Sequence, residues 1–381
     1  MRRFVPLMPR RESLVRLLAG TALAVVAAFG TMQAQIPGRN VNMVSGTGLW
    51  DGDPFLQRQN EPSIAASTRN PLHLLAGSND YRTVDLPFPA DGDNETGDAW
   101  LGLFKSVDGG QRWTSGLLPG YPQDDSAAGK ASPLSKKYNA GYQAGADPVV
   151  RAGTNGLLYL SGLAFDRGEG GKSGIFLSRF IDNNNREAGD PVAYLGTVMI
   201  SKSTPGRFLD KPWMAVDIPR ADSPTCTITA ANTIETSRRS NQGWGRGGRQ
   251  GRRRPLTPAG AQRIKAGAVY VAYTSFTGAD DTLRSEIYMT RSIDCGATWS
   301  VPFLVSGASD PLNQGATITI DPRDGSVFVA WRRFANAANP DQDGIMVRKL
   351  YDELPWSNSE MSASSDGRAL TRPCSKIRCS R

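Results

Sequence analysis

The chain has 381 residues, of which 39% are hydrophobic and 21% charged, with 41 Gly, 25 Pro and four Cys. These numbers indicate a soluble globular protein that is not built on disulfides, and the frequent Gly and Pro favour many short strands over long helices. The formal charge of +8 comes from the first 34 residues and one internal segment, and the remainder is mildly acidic. A basic surface over the whole domain is therefore excluded, and no nucleic acid partner is expected.

Residues 1–34 are predicted to be a secretory signal peptide. Five arginines precede an apolar run at 17–29, and small residues follow it. A run of this length is too short to span a bilayer, and the alternative is a buried core helix. We therefore expect a secreted or periplasmic protein with no transmembrane span after signal removal, in which residues 35–59 are a lead segment.

A strand pattern is repeated along residues 60–350. Segments with a polar or small residue, then Pro or Ala, then an apolar alternation lie at 61–67, 147–153, 211–217 and 315–321. Each is followed by two further stretches rich in Val, Ile, Tyr and Phe, which indicates strands. Repeated four-strand units predict an all-β propeller, because stacked blades cover each other's faces. A two-sheet sandwich would explain the strands but not their repetition.

The first unit contains two candidates for special chemistry. His73 is the only histidine and lies in the predicted strand at 72–78, which indicates packing and argues against histidine triads and multi-histidine metal sites. The loop at 91–98 has carboxylates at alternate positions, which suits calcium, although a solvated acidic loop is the alternative. The candidate calcium ligands are Asp91, Asp93 and Glu95. No cofactor is predicted.

A second pattern follows the third strand of two units, with Ser, Asp, Gly and Trp at positions 1, 3, 5 and 8. Asp and Ser side chains bond to backbone N–H groups in tight turns, Gly adopts positive φ, and Trp can lock a hairpin onto a neighbouring strand. Asp182 and Asp352 occupy the same place in partial copies. Because a catalytic residue is needed once and this Asp recurs, the pattern predicts structural turns. The full copies are Ser106, Asp108, Gly110 and Trp113, and Ser292, Asp294, Gly296 and Trp299.

Two segments depart from the repeat. Residues 238–265 carry nine Arg and Lys with no acid, so this low-complexity insert is predicted to be disordered and to contact acidic glycan, lipid headgroups or nothing. After residue 350 the strand pattern is lost, which predicts an irregular tail at 351–381 and a C-terminus that is incomplete for a propeller. Cys374 and Cys379 in this tail could pair with each other.

The Ser-x-Asp-x-Gly-x-x-Trp pattern is similar to the Asp-box, or BNR repeat, of the sialidase superfamily. The resemblance covers residues 60–350 and implies a sialidase-like propeller, six-bladed in that family, of which about four blades are recognisable here. It implies Asp-boxes on the hairpin between the third and fourth strands, on the face opposite the active site. It also implies an arginine triad, a Tyr nucleophile assisted by Glu, and an Asp acid/base. The first of those arginines corresponds to Asn60, and its neighbour Glu61 would repel a substrate carboxylate.

In such a propeller the starts of the first strands and the loops between the second and third strands share one face. The candidates for ligand binding there are Asn60, Glu61, Arg82, Asp147, Asp210, Lys211, Gln314 and Arg332, with Asp147 as the lone candidate acid. The predicted function is glycan or protein binding by an exported propeller without a competent sialidase site. One alternative is an exo-glycosidase of the exo-α-sialidase type, which needs a carboxylate pair on this face. A second is a scaffold propeller in an envelope assembly.

Overall fold

The computed structural model describes residues 40–44, 59–82, 98–168, 170–184, 190–228, 262–307, 312–335 and 343–350. The backbone divides into a unit at 1–42 and a unit at 43–381, and all the strands below belong to the second. The predicted signal peptide, the candidate calcium ligands Asp91, Asp93 and Glu95, and the tail at 351–381 lie outside the described residues. Within the described part, no helix has both the length and the apolar character needed to cross a membrane.

The first two blades are antiparallel sheets of four consecutive strands each. Blade 1 contains β1 (Gln59–Ala66), β2 (Leu74–Asp80), β3 (Trp100–Ser106) and β4 (Thr114–Leu117). Blade 2 contains β5 (Ala144–Ala152), β6 (Leu157–Phe165), β7 (Ser173–Asp182) and β8 (Val192–Lys202). Between them in sequence lies a short helix, α1 (Ala127–Ala131), whose first turn is capped because Ser126 Oγ accepts from Gly129 N at 2.9 Å.

Blades 3 and 4 complete the described strands. Blade 3 contains β9 (Arg207–Val216), β12 (Val269–Thr277), β13 (Arg284–Ser292) and β14 (Phe303–Leu304). A separate two-stranded sheet of β10 (Thr225–Ile228) and β11 (Gln262–Lys265) lies between β9 and β12 in sequence. In blade 4 the described strands are β15 (Asn313–Ile320), β16 (Val327–Arg333) and β17 (Gly344–Leu350).

Neighbouring blades bury their faces against each other. Strand β6 shows how, because successive side chains of a strand point to opposite faces. Leu158 and Leu160 join the apolar cluster shared with blade 1, whereas Leu157 and Tyr159 join the cluster shared with blade 3. A third cluster, around Trp331, fills the space between blades 3 and 4. The innermost strands β1, β5, β9 and β15 contact one another in chain order, so the four blades form a propeller, as the sequence predicts.

The end of the basic insert corrects the sequence prediction, since residues 262–265 form strand β11 rather than disordered chain. Ile264 explains the difference, because this apolar side chain is only 1% exposed and pairs in register with Cys226 of β10. Cys226 forms a disulfide with Cys295, which the sequence left without a partner. The rest of the insert, at 238–261, lies outside the described residues, as does the predicted pair Cys374 and Cys379.

The two full copies of the Ser-x-Asp-x-Gly-x-x-Trp pattern lie between β3 and β4 and between β13 and β14. We use the name Asp-box for these two turns only as a label for their residues. In the first, Ser106 Oγ accepts from Gly110 N at 2.9 Å, and Asp108 Oδ1 accepts from Arg112 N at 2.9 Å. Hydrogen bonds from the backbone and side chain of Arg112 lower the pKa of Asp108 to about 2. Trp113 Nε1 donates to the carbonyl of Gly110 at 3.0 Å. Each polar group of this box therefore bonds within its own turn.

The second copy repeats the Ser and Asp hydrogen bonds of the first, whereas Trp299 Nε1 is buried without a hydrogen-bond partner among the described residues. Ser292 Oγ accepts from Gly296 N at 2.9 Å, and Asp294 Oδ1 accepts from Thr298 N at 2.9 Å. Burial alone would raise the pKa of Asp294, but hydrogen bonds from the side chain and backbone of Thr298 lower it. Cys295, inside the box, ties the turn to β10 through its disulfide.

The partial copy of this pattern, at the end of β7 in blade 2, contacts blade 1. Asp182, at the end of β7, is fully buried, and its Oδ1 lies 2.8 Å from Nδ1 of the equally buried His73 in blade 1. Arg69 of blade 1 also donates to the carbonyl of Asp182 at 2.6 Å. The turn between β1 and β2 of blade 1, which contains Arg69 and His73, is therefore joined to the end of β7 in blade 2 by these polar contacts.

Candidate functional site

Each innermost strand has a β-bulge near its start, where two residues face one on the next strand. The first residue of each bulge is left-handed: Glu61 at φ 50°, Asp147 at 58°, Lys211 at 47° and Gly315 at 71°. A positive φ is strained for residues other than Gly, at about 1–3 kcal/mol each. Proline follows the first three and suits a bulge because it has no N–H to leave unpaired.

The bulges bring together charged side chains from three blades. Lys211 Nζ lies 2.7 Å from Oε1 and 2.7 Å from Oε2 of Glu61, and 3.1 Å from Oδ1 of Asp147. We call these three residues the bulge cluster. The side chains of Glu61 and Lys211 are 45% and 42% exposed, whereas that of Asp147 is 11% exposed. The cluster thus consists of a partly exposed ion pair, Glu61 and Lys211, and a largely buried acid, Asp147.

Asn79 of β2 holds the strands around the cluster in place. Its Oδ1 accepts from the backbone N of Asp147 at 2.7 Å, and its Nδ2 donates to Oδ1 of Asn60 at 2.8 Å. Ser63 Oγ accepts from Val150 N at 2.8 Å and adds a second link between β1 and β5. Sequence reasoning did not single out Asn79, and the signal that could have identified it is its register position opposite Asn60.

The three charged groups of the cluster shift each other's pKa values. Burial raises the pKa of Asp147 to about 7, helped by its hydrogen bond with Glu61. The same hydrogen bond lowers the pKa of Glu61. Burial alone would lower the pKa of Lys211, but the hydrogen bond and charge of Glu61 and Asp147 raise it. At neutral pH the cluster therefore presents a carboxylate, an ammonium group and a carboxyl group that exchanges its proton near physiological pH.

Arg82 does not belong to this site, which corrects the prediction that it binds a ligand. Its side chain is fully buried, and Nη2 donates to Asp80 Oδ2 at 2.6 Å. Further donors reach Ser115 Oγ at 3.0 Å and the carbonyl of Gly116 at 2.8 Å. A guanidinium satisfied inside blade 1 supports the packing of that blade and has no surface to offer a ligand.

The remaining predicted residues lie around the cluster or beyond it. The negative charge of Asp210, beside Lys211 in β9, contributes to the raised pKa of Asp147. Gln314 directly precedes the fourth bulge, where Gly315 contributes no side chain. Arg332, opposite Gln314 in register, pairs with Asp343 at 2.9 Å. The structure thus brings together Glu61, Asp147 and Lys211, with Asn60 and Asp210 beside them.

No protein-family model matches the chain, and no curated protein sequence does either. Among solved structures, it is similar to an α-L-arabinofuranosidase from Fusarium graminearum at 11% identity and a TM-score of 0.39, over 79% of this chain and 64% of that one. A levansucrase from B. megaterium matches at 9% identity and a TM-score of 0.40, over 88% and 77%. A β-fructofuranosidase from Microbacterium saccharophilum matches at 11% and 0.38, over 76% and 56%. Similarity at this level leaves the function to be inferred from the chain's own residues.

Proposed function

We propose that this chain is an exported propeller of the sialidase superfamily that binds carbohydrate at the bulge cluster. The observation that supports binding is the convergence of Glu61, Asp147 and Lys211, each on strained left-handed backbone, at one open position. Strain of this kind persists where the surrounding structure enforces it, and it is concentrated at functional sites. Export is supported by the predicted signal peptide and by the Cys226–Cys295 disulfide.

The chemistry of the cluster suits sugar hydroxyls. A hydroxyl donates to a carboxylate and accepts from an ammonium group, and Glu61 and Lys211 present both within hydrogen-bond reach of a ligand at the same opening. The ion pair is already formed before a ligand binds, which reduces the side-chain entropy lost on binding. Membership of the sialidase superfamily is supported by the two Asp-box turns and their place between third and fourth strands.

Sialidase chemistry is not part of the proposal. Asn60 stands at the position of the first arginine of that family, and it is engaged by Asn79. Glu61 and Asp147 are bound by one ammonium group, Lys211 Nζ, at 2.7 Å and 3.1 Å, whereas the two carboxyl groups of a glycosidase flank the glycosidic bond. A ligand would therefore bind without a separated nucleophile and acid on either side of its glycosidic bond.

An array of natural glycans is the direct test. We expect the mature protein to bind a defined subset, and Lys211→Met and Glu61→Gln to weaken that binding at least tenfold while circular dichroism shows that both variants stay folded. Lys136→Met is the matched control, because Lys136 also pairs with a carboxylate, at 3.0 Å from Asp166, but outside the cluster. Glycan binding that survives Lys211→Met unchanged would overturn the proposal. A wild-type protein that binds no glycan would favour a protein ligand or a scaffold role.

Exo-glycosidase activity is a second candidate, favoured by the largely buried acid at the open cluster, since the side chain of Asp147 is 11% exposed beside Lys211. A carboxyl group with a pKa of about 7, as for Asp147, is suited to donate a proton to a leaving group at neutral pH. Hydrolysis of a panel of aryl glycosides by the wild type, abolished by Asp147→Asn, would support this candidate. Absence of hydrolysis across the panel, together with array binding, would leave binding as the function.

A further inference from the structure

A concavity between blades 2 and 3 has chemistry suited to a sugar. It lies between β8, the outer strand of blade 2, and the face of blade 3, with a volume of about 310 Å³, at the small end of ligand sites. We call it the tyrosine pocket. Its polar and aromatic lining consists of Ser201, Lys202, Thr204, Arg207, Tyr273 and Tyr288.

Two tyrosines form the wall of the tyrosine pocket. Tyr273 and Tyr288 stand opposite each other in the register of β12 and β13, with ring centroids 6.2 Å apart and planes 17° from parallel. The hydroxyl of Tyr273 donates to Ser201 Oγ at 3.0 Å, and that of Tyr288 donates to Glu286 Oε2 at 3.0 Å. Burial raises the pKa of Tyr273 to about 12, so its hydroxyl keeps its proton. Tyr273 is only 3% exposed and supports the partly buried Tyr288, so the ring of Tyr288 is the apolar surface on which a sugar ring can pack.

Two cations flank this platform. The guanidinium of Arg207 lies 5.7 Å from the ring centroid of Tyr288, and its Nη1 donates to Ser275 Oγ at 3.1 Å. Lys202 is exposed at the end of β8. Within the described part of the chain, neither Arg207 nor Lys202 forms an ion pair with a carboxylate. Positive charge beside an aromatic wall attracts an anionic group, and a planar guanidinium binds carboxylate or sulfate oxygens particularly well.

The tyrosine pocket and the bulge cluster are joined by one strand. Arg207 is the first residue of β9 and Lys211 the fifth, which places their backbones about 13 Å apart at the usual rise of a strand. We propose that the tyrosine pocket is a second subsite, which takes an anionic sugar unit bearing a carboxylate or a sulfate. The proposal rests on the carbohydrate-binding function above, which it extends from one sugar contact to an acidic oligosaccharide.

Three monosaccharides test the charge requirement: glucuronate, glucose 6-sulfate and glucose, each titrated into the protein and followed by ligand-observed NMR. We expect at least one of the two anions to bind at least tenfold more tightly than glucose. Arg207→Gln and Tyr288→Ala should each weaken binding of that anion at least tenfold. Because Tyr288→Ala could disturb folding, Lys202→Gln at an exposed position is the second variant, and melting temperatures are compared throughout. Arg323→Gln, at an exposed arginine of blade 4, is the matched control.

The outcomes separate this proposal from the preceding one. The proposed second subsite is refuted if the wild type, Arg207→Gln and Lys202→Gln bind the anion with equal affinity. It is also refuted if the wild type binds none of the three sugars. Loss of anion binding in Lys211→Met but not in Arg207→Gln places the anion in the bulge cluster and also overturns it. Anion binding that depends on Arg207, with no glycan depending on Lys211, supports the tyrosine pocket and contradicts the bulge cluster.

Discussion

Replacing Asp147 by Asn should make the protein more stable at neutral pH, although the residue lies in the candidate site. The folded state raises the pKa of Asp147 from 3.8 to about 7, chiefly by burial. Between these values the folded protein holds a proton that the unfolded chain releases. The stabilisation from this group is therefore complete below pH 4 and is lost as the pH rises to 7.

The magnitude follows from the width of that interval. Each pH unit within it removes about 1.4 kcal/mol from the free energy of unfolding, and the loss between pH 5 and 7 amounts to about 2 kcal/mol. The titration of Glu61 does not overlap with this pH range, because its pKa is lowered from 4.5 and its contribution to the free energy of unfolding changes at more acidic pH. The amide in the Asp147→Asn variant carries no titrating proton, so the variant should gain about 2 kcal/mol relative to the wild type over the same range.

Urea unfolding of both proteins at pH 5, 6, 7 and 8 measures the effect, since the contributions of titrating groups that do not interact with Asp147 cancel in the difference. Asp222→Asn, at an exposed position, is the control for the change from a carboxylate to an amide. Glu61→Gln should flatten the slope of the wild type, because it removes the carboxylate that helps to raise the pKa of Asp147. A constant difference between Asp147→Asn and the wild type at all four values would refute the assignment of a raised pKa.

Three further changes test the structural polar contacts. Asp294→Ala removes the acceptor of the second Asp-box and should lower the free energy of unfolding by about 1–2 kcal/mol, with ligand affinity unchanged; abolished binding at an unchanged melting temperature would contradict the structural role. His73→Ala leaves Asp182 buried without its partner and should cost about 3 kcal/mol in chemical denaturation, whereas a wild-type midpoint would show that the pair contributes nothing. Loss of the disulfide in the double variant Cys226→Ala, Cys295→Ala opens a loop with a separation of 69 residues and should cost about 4 kcal/mol, an effect that reduction of the wild type should reproduce.

The blades could be predicted from the sequence because their signals are local. A strand is recognised from the alternation of apolar and polar side chains within a few residues. The Asp-box depends on hydrogen bonds that span only four residues, as between Ser106 and Gly110. The polar residue before proline in three of the four units likewise marked Glu61, Asp147 and Lys211 as candidates. Their positions were therefore predictable one by one.

The contacts between those positions could not be predicted in the same way. Lys211 reaches Glu61 across 150 residues of sequence, and the contact depends on how three bulges turn their side chains toward one another. For Arg82 the sequence position was misleading, because a polar residue at a strand end can either face a ligand or be buried. The structure shows Arg82 buried against Asp80. The Cys226–Cys295 pair required knowledge that β10 and β11 lie beside the second Asp-box, which no local pattern contains.

The four bulges share a left-handed first residue and the same shift of register, although their first residues are Glu, Asp, Lys and Gly. The conformation is therefore imposed by the blade, and the side chain at that place can be exchanged while the strand pairing stays the same. A glycine at any of the three charged positions would even relieve about 1 kcal/mol of strain. For protein engineers, this makes the propeller a scaffold with interchangeable inward-facing positions, where recognition can be rewritten, including by reversal of the Glu61–Lys211 polarity, without redesign of a single strand.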